Sequence, residues 1–130
     1  ITKPMINKLE LTVEYILEQL DILKRKPHLK PLIKRCIQVA SWDKANTQEY
    51  FTGMISEAAL ESGKKVKEHW YGGTQLALDI MELENPTKEM ITNEIKTKLT
   101  WNWTTPDENQ TLKHSGQDYS KISRLVEYKK

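Results

Sequence analysis

A chain of 130 residues with 38% apolar and 29% charged side chains is sized for one globular domain with its own core. Its formal net charge of +2 is too small to imply a nucleic-acid partner, and its one cysteine, Cys36, excludes an internal disulfide. No stretch approaches the about 20 apolar residues that span a bilayer, and the opening Ile1-Thr2-Lys3-Pro4 has no apolar signal core.

From Ile6 to Leu23 the residues Ile6, Leu9, Val13, Ile16, Leu20 and Leu23 recur at spacings of three and four, with Glu10, Glu14, Glu18 and Gln19 off the stripe. That is an amphipathic helix, ended by Pro27. Pro31 suits the first turn of a second helix, whose inward residues are Leu32, Ile33, Cys36, Ile37 and Ala40. Ser41-Trp42-Asp43 interrupts this run, and Ser41 or Asp43 caps a third helix burying Ala45, Phe51, Met54, Ile55 and Ala58 or Ala59. Gly53 inside that helix costs up to ~1 kcal/mol relative to alanine, which implies a close neighbour.

Glu61 to Lys67 reads as a charged connector around Gly63. A fourth helix follows with Trp70, Leu76, Ala77, Ile80 and Leu83 on its stripe. Asn85 caps and Pro86 opens a fifth, burying Met90, Ile91, Ile95 and Leu99; a strand running into Leu99-Thr100-Trp101 is the alternative for its end. From Thr104 to Ser120 the chain is turn material without an apolar period, and Lys121 to Val126 suits a short docked helix. The expected fold is therefore all-α: a bundle of four to five helices over 1–100, and a polar and aromatic tail over 101–130, partly ordered or docked on a partner.

Signatures of chemistry are absent. His28, His69 and His114 lie far apart, and none has a second His or Cys at zinc-ligand spacing. Cys36 sits on an inward stripe, where a thiol packs as a small core residue. Gly72-Gly73 is a lone pair of glycines and not a phosphate-cradling loop. The chain is expected to have no catalytic residues, cofactor, metal site or small-molecule substrate.

Two features point to binding. Lys24, Arg25, Lys26, Lys30, Lys34 and Arg35 lie in a stretch without an acid, and Lys64, Lys65 and Lys67 form a second basic group. The first group suits phosphates or an acidic partner, or else complements a helix dipole. Trp101 and Trp103 alternate around Asn102, so on an extended segment both face one side. They either cover the core or anchor a partner, tryptophan being enriched among interface hot spots.

The stretch Leu32-Ile33-Lys34-Arg35-Cys36-Ile37-Gln38 leads into Trp42-Asp43-Lys44-Ala45-Asn46, and Trp70-Tyr71-Gly72-Gly73-Thr74-Gln75-Leu76 follows. This order resembles the helical domain shared by the steroid receptor RNA activator protein and the C-terminus of the outer-coat scaffold subunit of ER-to-Golgi vesicles. A second-step pre-mRNA splicing factor has a related bundle. The resemblance covers roughly residues 9–83. It departs from the family's pattern in a longer connector between Trp42 and Trp70 and in Gln75 standing where a basic residue is expected, and it does not extend past Asn85. It implies a non-enzymatic interaction module in a coat or RNA-associated complex, and carries over no catalytic residue.

The expected function is thus a helical interaction or scaffold module with a protein partner. The alternatives are an RNA-binding module using residues 24–35, and an accessory fragment of a larger polymerase. A lone thiol favours an intracellular setting, cytoplasmic or nuclear. There the triplets Asn102-Trp103-Thr104 and Asn109-Gln110-Thr111 go unglycosylated. A start without Met fits a piece of a longer protein.

Overall fold

The computed structural model describes residues 7–129. The expected start of the first stripe at Ile6 lies outside the described residues. In chain order the elements are helices α1 (Lys8–Arg25) and α2 (Lys30–Trp42), strand β1 (Phe51–Ser56), helix α3 (Glu57–Ser62) and strand β2 (Val66–His69). Helices α4 (Gly73–Met81) and α5 (Lys88–Lys98), strand β3 (Trp101–Thr104), helix α6 (Pro106–Ser115) and strand β4 (Leu125–Glu127) follow. The all-α expectation is therefore corrected: the chain combines helices with a four-stranded mixed sheet.

The chain divides into two compact units, each assembled from two stretches: residues 1–44 with 71–98, and residues 45–70 with 99–130. In the first unit α1 packs on α2 and α5, and α4 packs on α2 and α5, which closes a ring of four helices. Val13, Ile16 and Leu20 of α1 meet Ile33 and Ile37 of α2, Leu76, Ala77 and Ile80 of α4, and Ile91 and Ile95 of α5 as its buried residues. Each fully buried side chain of this kind contributes roughly 1.5–3 kcal/mol.

Local chemistry sets the helix ends. The Asn7 side chain accepts from the Glu10 amide at 3.1 Å and caps α1. At α4 a Cβ on Gly73 would stand 3.2 Å from Cε3 of Trp42, so glycine permits the approach of this turn to the tryptophan ring. The fifth helix starts later than expected. Thr87, not Asn85, accepts from the Met90 amide at 3.2 Å, while Asn85 takes a left-handed backbone with φ 46°.

A polar clip joins α4 to α5. The Lys98 ammonium lies 2.8 Å from Asp79 and 2.6 Å from Glu94, and 4.8 Å from the centroid of the Tyr71 ring. Tyr71 donates its hydroxyl to Asp79, and Gln75 donates at 2.9 Å. Partial burial works against the charge on Asp79. The donors Lys98, Tyr71 and Gln75 outweigh it and hold this carboxyl down at about 2.

In the second unit the sheet order is β2-β3-β1-β4, with β3 parallel to β1 and all other pairs antiparallel. Of the stretch expected as a third helix, the part with Phe51, Met54 and Ile55 is β1, and its end with Ala58 and Ala59 lies in α3. The apolar spacing of β1 fits a helical stripe, but Gly53 has φ 86°, which no helix accommodates, and a Cβ there would meet nothing within 4 Å. The irregular register between Phe51 and Ile55 marks a bulge at this point. The close neighbour inferred for Gly53 is absent. The expected connector supplies β2, residues 121–126 enter a 3-10 turn and β4, and the aperiodic stretch after Thr104 forms α6.

Helix α6 begins with a capping box: Thr105 Oγ1 accepts from the Glu108 amide at 3.1 Å, and Glu108 Oε1 accepts from the Thr105 amide at 3.0 Å. The same carboxylate accepts from the Ser56 hydroxyl at 2.5 Å, and from the Ser123 hydroxyl at 2.5 Å and amide at 2.9 Å. Burial opposes ionisation of Glu108, yet these donors together hold its carboxyl below the usual carboxylate range. Glu108→Ala leaves the fully buried Ser56 hydroxyl without this acceptor. It is expected to lower stability by about 3 kcal/mol, read from the urea midpoint at neutral pH. An unshifted midpoint would show that the cluster contributes nothing.

Candidate functional site

The pairing of β2 with β3 sorts the side chains of the sheet. Lys67 lies opposite Trp103 and His69 opposite Trp101, while Glu68 lies opposite Asn102 and Val66 opposite Thr104. Because side chains alternate along a strand, one face carries the rings and Lys67, and the other carries Glu68, Asn102 and Thr104.

On the ring face, Phe51 of β1 stacks on Trp101 with centroids 4.6 Å apart, and Trp101 meets Trp103 edge-on at 4.9 Å. Tyr128, just past β4, stands edge-on to Phe51 at 6.3 Å and donates its amide to the Gly53 carbonyl at 2.8 Å. Lys67 reaches over Trp101 at 4.7 Å and Lys65 over Trp103 at 4.9 Å, within cation–π range. Trp101 is fully buried, and its indole N–H donates to the Thr47 carbonyl at 2.9 Å. Trp103 is half-buried and, with Gln48, Phe51, Lys65 and Tyr128, lines a pocket of about 290 Å³.

The two tryptophans named as a partner interface therefore share one face, as their spacing requires, but occupy different depths. Trp101 supports the pocket and Trp103 lines it. The sequence did not single out Phe51, Gln48 or Tyr128 for this site. Phe51 fitted a helical stripe, and Tyr128 lies in a polar end segment; the alternation Trp101-Asn102-Trp103 was the one signal available.

The opposite face carries a buried carboxylate. Glu68 is 1% exposed, and Tyr119 donates its hydroxyl to Oε1, while Oε2 has no hydrogen-bond partner among the described residues. Desolvation raises its pKa. Hydrogen bonds from Tyr119 and Asn102 and the charge of His69 oppose that shift without reversing it. Burial, and then the Glu68 carboxylate itself, push the Tyr119 hydroxyl upward as well. Asn102 in turn accepts from the Thr52 hydroxyl.

The basic group falls in the first unit. Lys24, Arg25, Lys26, Lys30 and Arg35 are exposed and Lys34 is half-buried, around the turn Pro27–Leu29 between α1 and α2. Arg25 pairs with Asp21 at 3.3 Å, both side chains more than 60% exposed. A second surface of the same unit is apolar. Leu11 and Tyr15 of α1 are 53% and 40% exposed, and Leu32 and Val39 of α2 are 59% and 65% exposed. Cys36 of α2 acts on the Tyr15 hydroxyl of α1 and pushes it upward, and Cys36 is half-buried, not a sealed core thiol.

Among the described residues no three His, Cys, Asp or Glu side chains gather closely enough to hold a metal ion. No described helix is long and apolar enough to cross a membrane. Comparison with protein-family models, with curated proteins and with solved structures finds no match.

Glu68 gives a pH prediction. A carboxyl whose folded pKa lies above the unfolded value of 4.5 contributes its stability below that value and loses it as pH rises through the folded pKa. The thermal midpoint of the wild type is expected to fall across that window. Glu68→Gln keeps an acceptor for Tyr119, so it should lack this component of the fall and melt several degrees higher at pH 8. Parallel midpoint-against-pH curves for the two proteins would refute an elevated Glu68.

Proposed function

We propose that the chain is a non-enzymatic interaction module that docks a protein partner on the outer face of α1 and α2. The supporting observation is the exposure of Leu11 and Tyr15 on α1 and of Leu32 and Val39 on α2, two helices that pack on each other. Isolated apolar side chains on a surface are ordinary, but four large ones on one face of a helix pair are characteristic of a docking patch. The fit with a scaffold is also what the resemblance over residues 9–83 implies. A reducing interior, cytoplasmic or nuclear, suits the single half-buried Cys36.

Truncation at residue 101 would remove β3, the strand between β1 and β2, so surface substitutions are the suitable probe. Leu32→Glu with Val39→Glu is expected to leave the helical circular dichroism unchanged and to abolish capture of the partner from cell extract. Retention of every captured protein by the folded double variant would overturn the reading.

A second reading, an RNA-binding surface, is favoured by the exposed cations around Pro27–Leu29, of which Arg25 alone has an ion-pair partner among the described residues. Lys26→Glu, Lys30→Glu and Lys34→Glu together are expected to weaken binding of generic RNA and to flatten its dependence on salt. No gel shift by the wild type at low salt would dismiss this reading.

A further inference from the structure

We infer that the slot between Trp103, Phe51 and Tyr128 is a binding site for an unpaired base of a single-stranded nucleic acid. It lies in the second unit and is independent of the α1–α2 face proposed for a protein partner.

The walls of the slot are π-faces and ring edges. Trp103 comes from β3, Phe51 from β1 and Tyr128 from the end of β4, the two outer rings each 6.3 Å from Phe51 between centroids. Between the strands bearing Trp103 and Tyr128, Gly53 contributes no side chain, and the place a Cβ would take meets nothing within 4 Å. The resulting pocket of about 290 Å³ lies just below the roughly 300–1,000 Å³ typical of pockets for drug-sized ligands, which suits a single planar base.

The rim decides the chemistry of the ligand. Lys65 lines the pocket, is exposed, and holds its ammonium 4.9 Å from the centroid of Trp103; among the described residues it has no carboxylate within ion-pair distance. A planar ligand that also carries a negative charge satisfies both walls and rim. An aromatic peptide side chain would fill the slot but bring no anion to the Lys65 ammonium. Gln48, exposed at the mouth, offers an amide with two donors and an acceptor for the edge of a base. Aromatic platforms flanked by cations are the general means of holding single strands, because every base has a face to stack and a phosphate beside it.

The test uses the full chain with three probes: an eight-residue oligothymidylate, an abasic phosphodiester of the same length, and thymidine monophosphate. Oligothymidylate is expected to quench tryptophan fluorescence and to bind at least about tenfold more tightly than the abasic strand. Tyr128→Ala, at the end of the described chain, should remove most of that difference, and Lys65→Glu should weaken the oligomer by several-fold while the far-ultraviolet spectrum stays unchanged. Equal affinity for the abasic and the base-bearing strand would overturn the site and leave backbone contacts alone, as the turn at 24–35 would provide. Unaltered discrimination in both variants would equally overturn it. Saturation by the monophosphate at the same concentration as the oligomer would overturn the strand as ligand.

Discussion

One carboxylate organises the second unit. Glu108 receives the amide of Thr105 where the chain leaves β3, the hydroxyl of Ser56 where β1 passes into α3, and the amide and hydroxyl of Ser123 just before β4. Ser56 in turn caps α3 by accepting from the Ala59 amide, and the Ser123 hydroxyl accepts from the Ala58 amide. Three strands are therefore referenced to one side chain near their ends. Partial burial of a charge is unfavourable by itself, and the stabilisation comes from the number of donors collected; charge-assisted hydrogen bonds are about twice as strong as neutral ones.

The helices were legible because their information is local. The stripe of α1, the proline at the start of α2 and the apolar face of α4 each occur within one stretch of chain and reappear as elements. The strands were not legible. Phe51, Met54 and Ile55 satisfy a helical spacing, so the decisive residue was Gly53, whose left-handed backbone the periodicity does not encode. Strands β2 and β4, of four and three residues, are too short for alternation to stand out, and both form by pairing with chain more than 30 residues away. The start of α6 was readable in principle, since Thr105-Pro106-Asp107-Glu108 is a capping-box sequence. Its polar composition led instead to an expected loop, and its bonds to Ser56 and Ser123 have no local trace.

The candidate site shows the same division. Trp101 and Trp103 were placed on one side of an extended segment by simple alternation, and the edge-on contact of their rings agrees with that. What alternation leaves open is depth. Trp101 is sealed because Phe51 covers its face and its N–H is satisfied by Thr47, whereas Trp103 has Lys65 and the pocket beside it. The basic stretch 24–35 was fully legible as charge, and its exposure follows from the cost of burying ammonium groups without partners.

The alternation Trp101-Asn102-Trp103-Thr104 ties the two faces of the sheet together. A slip of one residue in β3 would carry both rings into the space of Glu68 and set Asn102 and Thr104 among Phe51 and Tyr128. Such a slip would part Glu68 from its cross-strand neighbour Asn102 and Phe51 from its stacking partner at once, so the two faces enforce the same register. The mismatch between β1 and β3 is taken up at the bulge around Gly53, the one strand residue there with no side chain to misdirect. Gly53 thereby absorbs the irregular pairing that keeps Glu68 matched to Asn102. A residue with a Cβ would strain the left-handed backbone at φ 86°, so the register that both faces share depends on glycine at this one position.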